Sequence, residues 1–395
     1  MDSCDVLIVG AGPAGSSCAW GLRQTGLNTV ILDKRVFPRD KVCGGWITPA
    51  VLEELQIFPE EYGPGRVFQP ITGFRTSSMG GPEILTDYGR PISYGIRRIE
   101  FDDYLLRRSG ARLIQGTPLK TIKPSPRGWI VNDQIEARLV VGAGGHFCPV
   151  AHALGAGARK EVAVAAQEAE FEMNSQQITG CAIRSEVPEL YFCADMKGYG
   201  WCFRKGNFLN IGLGRLDQHG LPEHVANFVA FLRKSRKISF DLPSPLLGHA
   251  YLIYRETKRK LVDEGVMLVG DAAGLAYSQS GEGIRTAVES GLLAAQTIVA
   301  ADGVYGAEKL EKYRGLLQSQ YGKSGEDWAM NVGRRLSPRL RQSFARFFLA
   351  SGWFSRHIVL DRWFLHRSEP ALTSPMAAPQ ASVGEDGRAV IPSQV

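Results

Sequence analysis

This sequence predicts an α/β fold of two interleaved domains. A doubly wound nucleotide-binding unit is threaded by a mainly antiparallel β domain and followed by a helical C-terminal segment. Three stretches carry the reading. The apolar run Val6 to Val9 passes at once into Gly10-x-Gly12-x-x-Gly15, and Asp33 closes the next apolar run, Thr29 to Leu32. Residues 161 to 258 alternate as strands. Val266 to Val269 is another apolar run, and Gly270-Asp271 follows it ahead of a long apolar helix from Ile284.

A strand buried on both faces reads as a continuous apolar run, as Val6 to Val9 does. Gly10 allows a tight turn, Gly12 lets a pyrophosphate approach the backbone, and Gly15 lets the following helix pack on the strand. Pro13 costs nothing in a first helical turn, whose N–H groups lack helical partners, and Ala14 continues it. The helix aims its positive dipole end at the phosphate. Asp33 stands at roughly the 20-residue spacing of a carboxylate that grips a ribose hydroxyl.

Farther along, Phe37 to Gly45 forms a loop, and Thr48 caps a short helix with Pro49 at its first position. Residues 59 to 95, rich in Gly and Pro, read as strands and turns. Ile99 to Arg108 is helical, with Phe101, Leu105 and Leu106 on one face. Ala111 to Ile114, Leu119 to Ile122 and Trp129 to Val131 read as strands. Arg138 to Gly145 returns to the strand-then-glycine pattern and to the nucleotide unit. Strands then span Val162 to Glu172, Glu189 to Cys193, Gly200 to Arg204 and Phe208 to Leu213, with a polar helix from Pro222 to Lys234. The division expected is 1–75, 98–160 and 259–305 for the nucleotide domain, and 76–97 with 161–258 for the second domain. Residues 306–372 form the helical segment, and 373–395, rich in Pro, Ala, Ser and Gly, are expected to be disordered.

Composition narrows the function. A length of 395 residues, 44% hydrophobic and 22% charged, suits two or three globular domains. The net charge of +6 is modest and no Lys/Arg run of the arm type appears, so nucleic acid is not an expected partner. Seven scattered cysteines without Cys-x-x-Cys fit reduced cytosolic thiols, and the seven histidines show no metal spacing, so no metal site is expected. No charged leader precedes Val6, and no run of about 18 apolar residues exists to span a membrane.

The second half adds chemistry. Gly270-Asp271 is a strand running into a carboxylate, and Ser280-Gly281-Glu282-Gly283-Ile284 opens the long helix. An acid beside a helix N-terminus suits a ribityl chain and the electron-rich edge of a flavin; a loop before a Gly-rich helix start is the plainer reading. Residues 334 to 367 mix Arg334, Arg335, Arg339, Arg341, Arg346, Arg356, Arg362 and Arg367 with many aromatics, against Asp361 as the only acid. A basic aromatic helix pair reads as membrane-surface contact or as a lid over a greasy substrate. Packing on the nucleotide domain with solvated arginines is the plain alternative.

Together these motifs resemble the FAD-dependent oxidoreductases of the para-hydroxybenzoate hydroxylase type, and most the geranylgeranyl reductase branch. The resemblance covers residues 1 to about 300 and rests on four matches: Gly10 to Gly15 with Asp33; Phe37-Pro38-Arg39 with Lys41-x-Cys43-Gly44-Gly45; Arg98-Ile99-Glu100-Phe101-Asp102; and Gly270-Asp271 with Gly281-Glu282-Gly283-Ile284. Gly198-Tyr199-Gly200-Trp201-Cys202-Phe203 is similar to the reductases' Tyr-x-Trp-x-Phe-Pro cavity motif. Two positions depart from the pattern. Arg204 stands where that motif has Pro, and Val141-Gly142-Ala143-Gly144-Gly145 stands where the family usually has Asp-Gly.

The resemblance implies a Rossmann-like FAD-binding domain that holds FAD through Gly10, Gly12, Pro13, Ala14, Gly15, Asp33, Lys34, Arg39, Cys43, Gly44, Arg98, Leu119, Gly270, Asp271, Gly281, Gly283 and Ile284. Tyr199, Trp201 and Phe203 alternate on a strand, share one face, and would line the site of a hydrophobic substrate, though a plain core face fits the alternation too. Cys43, Tyr199 and Trp201 are the implied catalytic residues, with Cys43 a proton donor; a small buried hydrophobe is the other reading of that thiol. The implied activity is reduction of carbon–carbon double bonds in an isoprenoid or lipid-like molecule by hydride from flavin N5. A flavin monooxygenase or epoxidase is the alternative, and a non-catalytic FAD-binding protein a further one. A halogenase is less favoured, because Trp-x-Trp-x-Ile-Pro is absent. NAD(P)H is one candidate electron donor; Gly144, where the family has Asp, keeps a quinol or ferredoxin alongside it. The expected location is the cytoplasm, peripheral to the inner face of the membrane.

Overall fold

The computed structural model describes residues 1–156, 161, 163–217, 219–254, 257–322 and 347–372. Among these, five parallel strands form the centre of the first sheet, in the order Val266–Leu268, Ile135–Gly142, Asp2–Val9, Thr29–Leu32, Arg112–Ile114. Strand Asp2–Val9 lies in the middle, and Val6, Leu7 and Ile8 are fully buried. Helices cover it, as a parallel sheet requires. Pro13–Leu22 is buried along its whole length and crosses the long helix Ile284–Ala300.

The second sheet has seven strands, in the order Leu247–Leu252, Ala163–Glu172, Phe208–Arg215, Gly198–Lys205, Glu189–Phe192, Gly73–Ser78, Ile84–Asp87. Its one parallel pairing joins Glu189–Phe192 to Gly73–Ser78, two distant segments of the chain. Gly73–Ser78 straddles the expected division after residue 75. A third, small sheet of Trp46–Ile47, Ser93–Ile96 and Phe68–Ile71 bridges toward the loop that follows Phe37.

Several local expectations change. Thr48 sits at the N-cap of helix Pro49–Glu54, but its hydroxyl makes no capping bond and is buried without a partner. Leu119 lies outside any strand: the strand there is Ile122–Ser125, and Leu119 packs on the nucleotide-domain core. The helix Leu221–Lys234 is amphipathic and not polar, for Leu221, Val225, Phe228 and Leu232 are buried against the second sheet. Phe228 fills the space over Gly200, where a Cβ would overlap its ring. In the C-terminal segment, the short helix Gly352–Phe354 runs into a π-helical stretch, Ser355–Phe364. Residues 323–346, with the first arginines of the basic run, and the tail from 373 lie outside the described residues. Among the described residues, no helix is long and apolar enough to cross a membrane, and no group of three or more His, Cys, Asp or Glu side chains could hold a metal ion.

Candidate active site

Strands Val266–Leu268, Ile135–Gly142 and Asp2–Val9 are parallel neighbours, so the loops after them meet at one edge of the sheet. Gly10 there has φ +115°, and a side chain on it would run into the Ala143 carbonyl. This position requires glycine. Asp33 Oδ2 accepts the Ala11 N–H at 2.7 Å and Asp33 Oδ1 the Arg35 N–H at 2.7 Å, so the acid braces the turn. Gly12 is the N-cap of Pro13–Leu22 and has no side-chain cap. Among the described residues, the only atom within 4 Å of its missing side chain is Arg39 Nη2, at 3.7 Å. Arg39 Nη2 also pairs with Asp102 at 3.0 Å, while Arg39 Nη1 is buried without a partner. An open glycine, uncapped helical N–H groups and an unmatched buried guanidinium N–H fit a pyrophosphate, and so fit FAD.

Arg98 continues this group. Its Nε and Nη2 donate to both oxygens of the fully buried Asp102, at 2.7 and 2.8 Å. Burial alone would lower the Arg98 guanidinium, but Asp102 and the Cys43 sulfur beside it push it above its ordinary value. Gly270 lies against Ala14 of the first helix, and Asp271 Oδ1 would stand 3.3 Å from a Cβ on Gly283, at the N-terminus of the long helix. Ends of the chain far apart in sequence thus form one cradle. His249, on the edge strand of the second sheet, reaches into it: Nε2 lies 3.9 Å from Asp271 Oδ2, and Nδ1 3.5 Å from Lys41 Nζ. Burial, then Lys41, pull the His249 imidazole down to about 4, so it is neutral at pH 7. Burial lowers Lys41 as well, with Asp271 opposing.

The loop that carries Cys43 lies on the second sheet. Gly44 faces Phe203 and the Trp201 indole, where a Cβ would stand 3.3 and 3.6 Å away. Gly45, at φ +64°, passes under the Ile96 carbonyl and donates its N–H to Cys43 Sγ at 3.5 Å. Tyr199, Trp201 and Phe203 do share a face, and the Tyr199 hydroxyl donates to the Ser280 carbonyl before the long helix. That face belongs to an apolar cluster with Trp46, Phe74, Phe192, Val359, Leu360 and Phe364. The Phe364 ring packs 5.3 Å from Tyr199 and 5.9 Å from Trp46. The described part of the C-terminal segment packs on the aromatic wall.

Cys43, Gly44, Tyr199, Trp201, Phe203, Arg98, Arg39, Asp271, Gly281, Gly283 and Ile284 therefore converge on one region with Gly10 to Gly15. Tyr251 packs against Gly281. Lys34, exposed after Asp33, and Leu119 stand apart from this linked group. Sequence reasoning misses Trp46, His249, Tyr251, Glu168 and Asn210. Trp46 alone had a signal, standing next to Gly44-Gly45.

Residues 8–74 match the NAD(P)-binding Rossmann-like domain family. The chain is 29% identical over 377 residues to a menaquinone reductase of Mycobacterium tuberculosis, covering 89% of this chain and 87% of that one. It is 30% identical over 346 residues to digeranylgeranylglycerophospholipid reductase 3 of Methanosphaera stadtmanae, covering 81% and 83%. A geranylgeranyl bacteriochlorophyll reductase-like protein of Thermoplasma acidophilum shares the fold, with a TM-score of 0.73 at 21% identity over 93% and 98% of the two chains. With the glycine cradle, the buried Arg98–Asp102 pair and the aromatic wall in place, the chain belongs to the geranylgeranyl reductase family of FAD-dependent oxidoreductases.

Proposed function

We propose that this enzyme reduces carbon–carbon double bonds of an isoprenoid or other lipid-like substrate. The observation that carries the reading is the aromatic wall of Tyr199, Trp201 and Phe203 against the Cys43-Gly44-Gly45 loop. An extended apolar chain binds by area with few polar contacts, which such a wall offers. The relatives' names, a menaquinone reductase and a digeranylgeranylglycerophospholipid reductase, fit that substrate class.

When bound, FAD supplies hydride from N5. Gly10 to Gly15 and Arg39 would hold its pyrophosphate, Asp33 its ribose end, and Asp271 with Gly283 and Ile284 its ribityl and ring edge. Tyr199, Trp201 and Phe203 orient the substrate, and Phe364, with Leu365 buried in the same cluster, excludes water. Cys43 Sγ gives the second carbon its proton. Arg98 and the Gly45 N–H lie beside the sulfur that remains. Gly144 fits its loop as glycine, for a Cβ would stand 3.2 Å from Cys148 Cα. NAD(P)H, a quinol and ferredoxin are the candidate electron donors, and anaerobic bleaching of the flavin by each separates them.

Reduced enzyme mixed without air with an unsaturated lipid should reoxidise its flavin as the product gains two hydrogens. Cys43→Ala should slow that step by about 100-fold with little change in KM. Turnover that requires oxygen and places it in the product would instead establish a monooxygenase. The arginine-rich segment, with Phe347 and Trp353 exposed, should hold the protein on anionic vesicles at low salt and release it at high salt. Equal recovery in the supernatant with and without vesicles would reject membrane contact.

A further inference from the structure

Two buried polar side chains rise from the second sheet toward the Cys43 loop, and neither belongs to a family motif named above. Glu168 is 4% exposed and Asn210 fully buried. They sit on adjacent antiparallel strands, with Glu168 opposite Gly212 and Asn210 opposite Glu170, so both point to the same face. Trp201 lies on that face too, opposite Gly212. Gly212 makes the room: a Cβ there would overlap the Trp201 ring and come within 2.6 Å of Glu168 Cβ.

Both side chains grip one residue. Glu168 Oε1 accepts the Cys43 N–H, and Asn210 Nδ2 donates to the Cys43 carbonyl at 3.1 Å. The remaining capacity of Asn210 is also used. Its Oδ1 accepts the Trp201 indole N–H at 2.7 Å, and its Nδ2 reaches Glu170 Oε2 at 3.4 Å. Glu170 in turn pairs with Lys205 at 2.5 Å. A buried amide with both donors and its acceptor engaged has one orientation. The loop it holds continues into Gly44-Gly45, which has little stiffness of its own.

We propose that Glu168 and Asn210 are positioning residues for Cys43, clamping the peptide groups on both sides of it so that the thiol and the Trp201 wall keep one geometry. The inference rests on the reading of Cys43 as a site residue. A displacement of about 1 Å in a reacting group costs on the order of 100-fold in rate, so a clamp on a glycine-flanked thiol controls turnover without touching substrate.

Thiol chemistry tests the clamp apart from turnover. Cys43 is half-buried and the other six cysteines are buried, so iodoacetamide labelling of the FAD-loaded chain, mapped by peptide mass, reads this site. Glu168→Leu and Asn210→Leu free the loop and should speed Cys43 labelling about tenfold, whereas Glu168→Gln keeps an acceptor oxygen and should stay within about twofold of wild type. Labelling at the wild-type rate in both leucine variants overturns the proposal. Hydrogen exchange on the unsubstituted protein gives a second decision: the Cys43 amide should be protected, and exchange at the rate of an open loop overturns the clamp. In turnover the leucine variants should lose kcat about tenfold or more with KM nearly unchanged, and Glu168→Gln should restore it. If Cys43→Ala turns over like wild type, the proton-donor reading falls, while labelling and exchange still decide the clamp.

Discussion

Glu168 shows what one buried carboxyl does to the pH response of the molecule. Burial pushes it up to about 7, with Lys205 and the Cys43 N–H opposing; Glu170 is the other acid beside it. In the unfolded chain it would titrate near 4.5. The folded state therefore binds more protons between those values. The stability tied to the protonated form is complete below about 4.5 and is lost as pH rises through about 7. Glu168→Gln should flatten the fall in unfolding free energy between pH 5 and 8, by on the order of 2–3 kcal/mol. Urea midpoints across that range check it, and parallel curves for the two proteins would refute it. The sequence does not display this residue. Glu168 and Glu170 alternate with apolar neighbours as solvent-facing positions do, and only the loop above them makes that face interior. Gly10 and Gly12 were legible because their roles are local, set by a turn and a helix start within six residues.

The helices tell a similar story of local pattern and distant partner. The apolar run that predicts the long helix is observed as Ile284–Ala300, but its crossing with Pro13–Leu22 depends on small residues whose function exists only in the pair. A Cβ on Gly291 would meet the Ala14 carbonyl and stand 2.9 Å from the Cys18 nitrogen. A Cβ on Gly21 would stand 2.7 Å from that of Ala295. Gly291→Leu should force the two helices apart and cost about 3 kcal/mol, measured as a lower urea midpoint. Because Ala14 belongs to the glycine turn, FAD affinity should fall in the same variant. A variant as stable as wild type would mean the helices do not cross this closely. Other elements resisted reading because their partners lie far away in sequence. The sequence predicts a strand from Leu119, yet the paired strand begins at Ile122. The helix Leu221–Lys234 is expected to be polar, but Val225, Phe228 and Leu232 stand at helical spacing and are buried against the second sheet.

Segments far apart in the chain are brought together by the nucleotide sheet, and this predicts how cofactor and stability are linked. Gly10 to Gly15, Arg39, Arg98 and Gly270-Asp271 with Gly283 come from four segments, and the strand edges place them around one cradle. A ligand bound across all four stabilises the folded state by mass action, about 2.7 kcal/mol at 100 times its Kd. Wild-type Tm should therefore rise on adding FAD to the apoprotein. Gly12→Val separates this gain from folding itself. Gly12 has φ −74° and ψ −175°, which valine tolerates, and among the described residues only the end of the Arg39 side chain lies near its missing Cβ. The apoprotein should then melt as wild type does. The added isopropyl group, however, occupies the space through which a pyrophosphate would approach the backbone and Arg39. The variant should be colourless and gain no Tm with FAD. An equal FAD-dependent rise in both proteins would place the pyrophosphate elsewhere, and a lower Tm without FAD would show that Gly12 serves the fold.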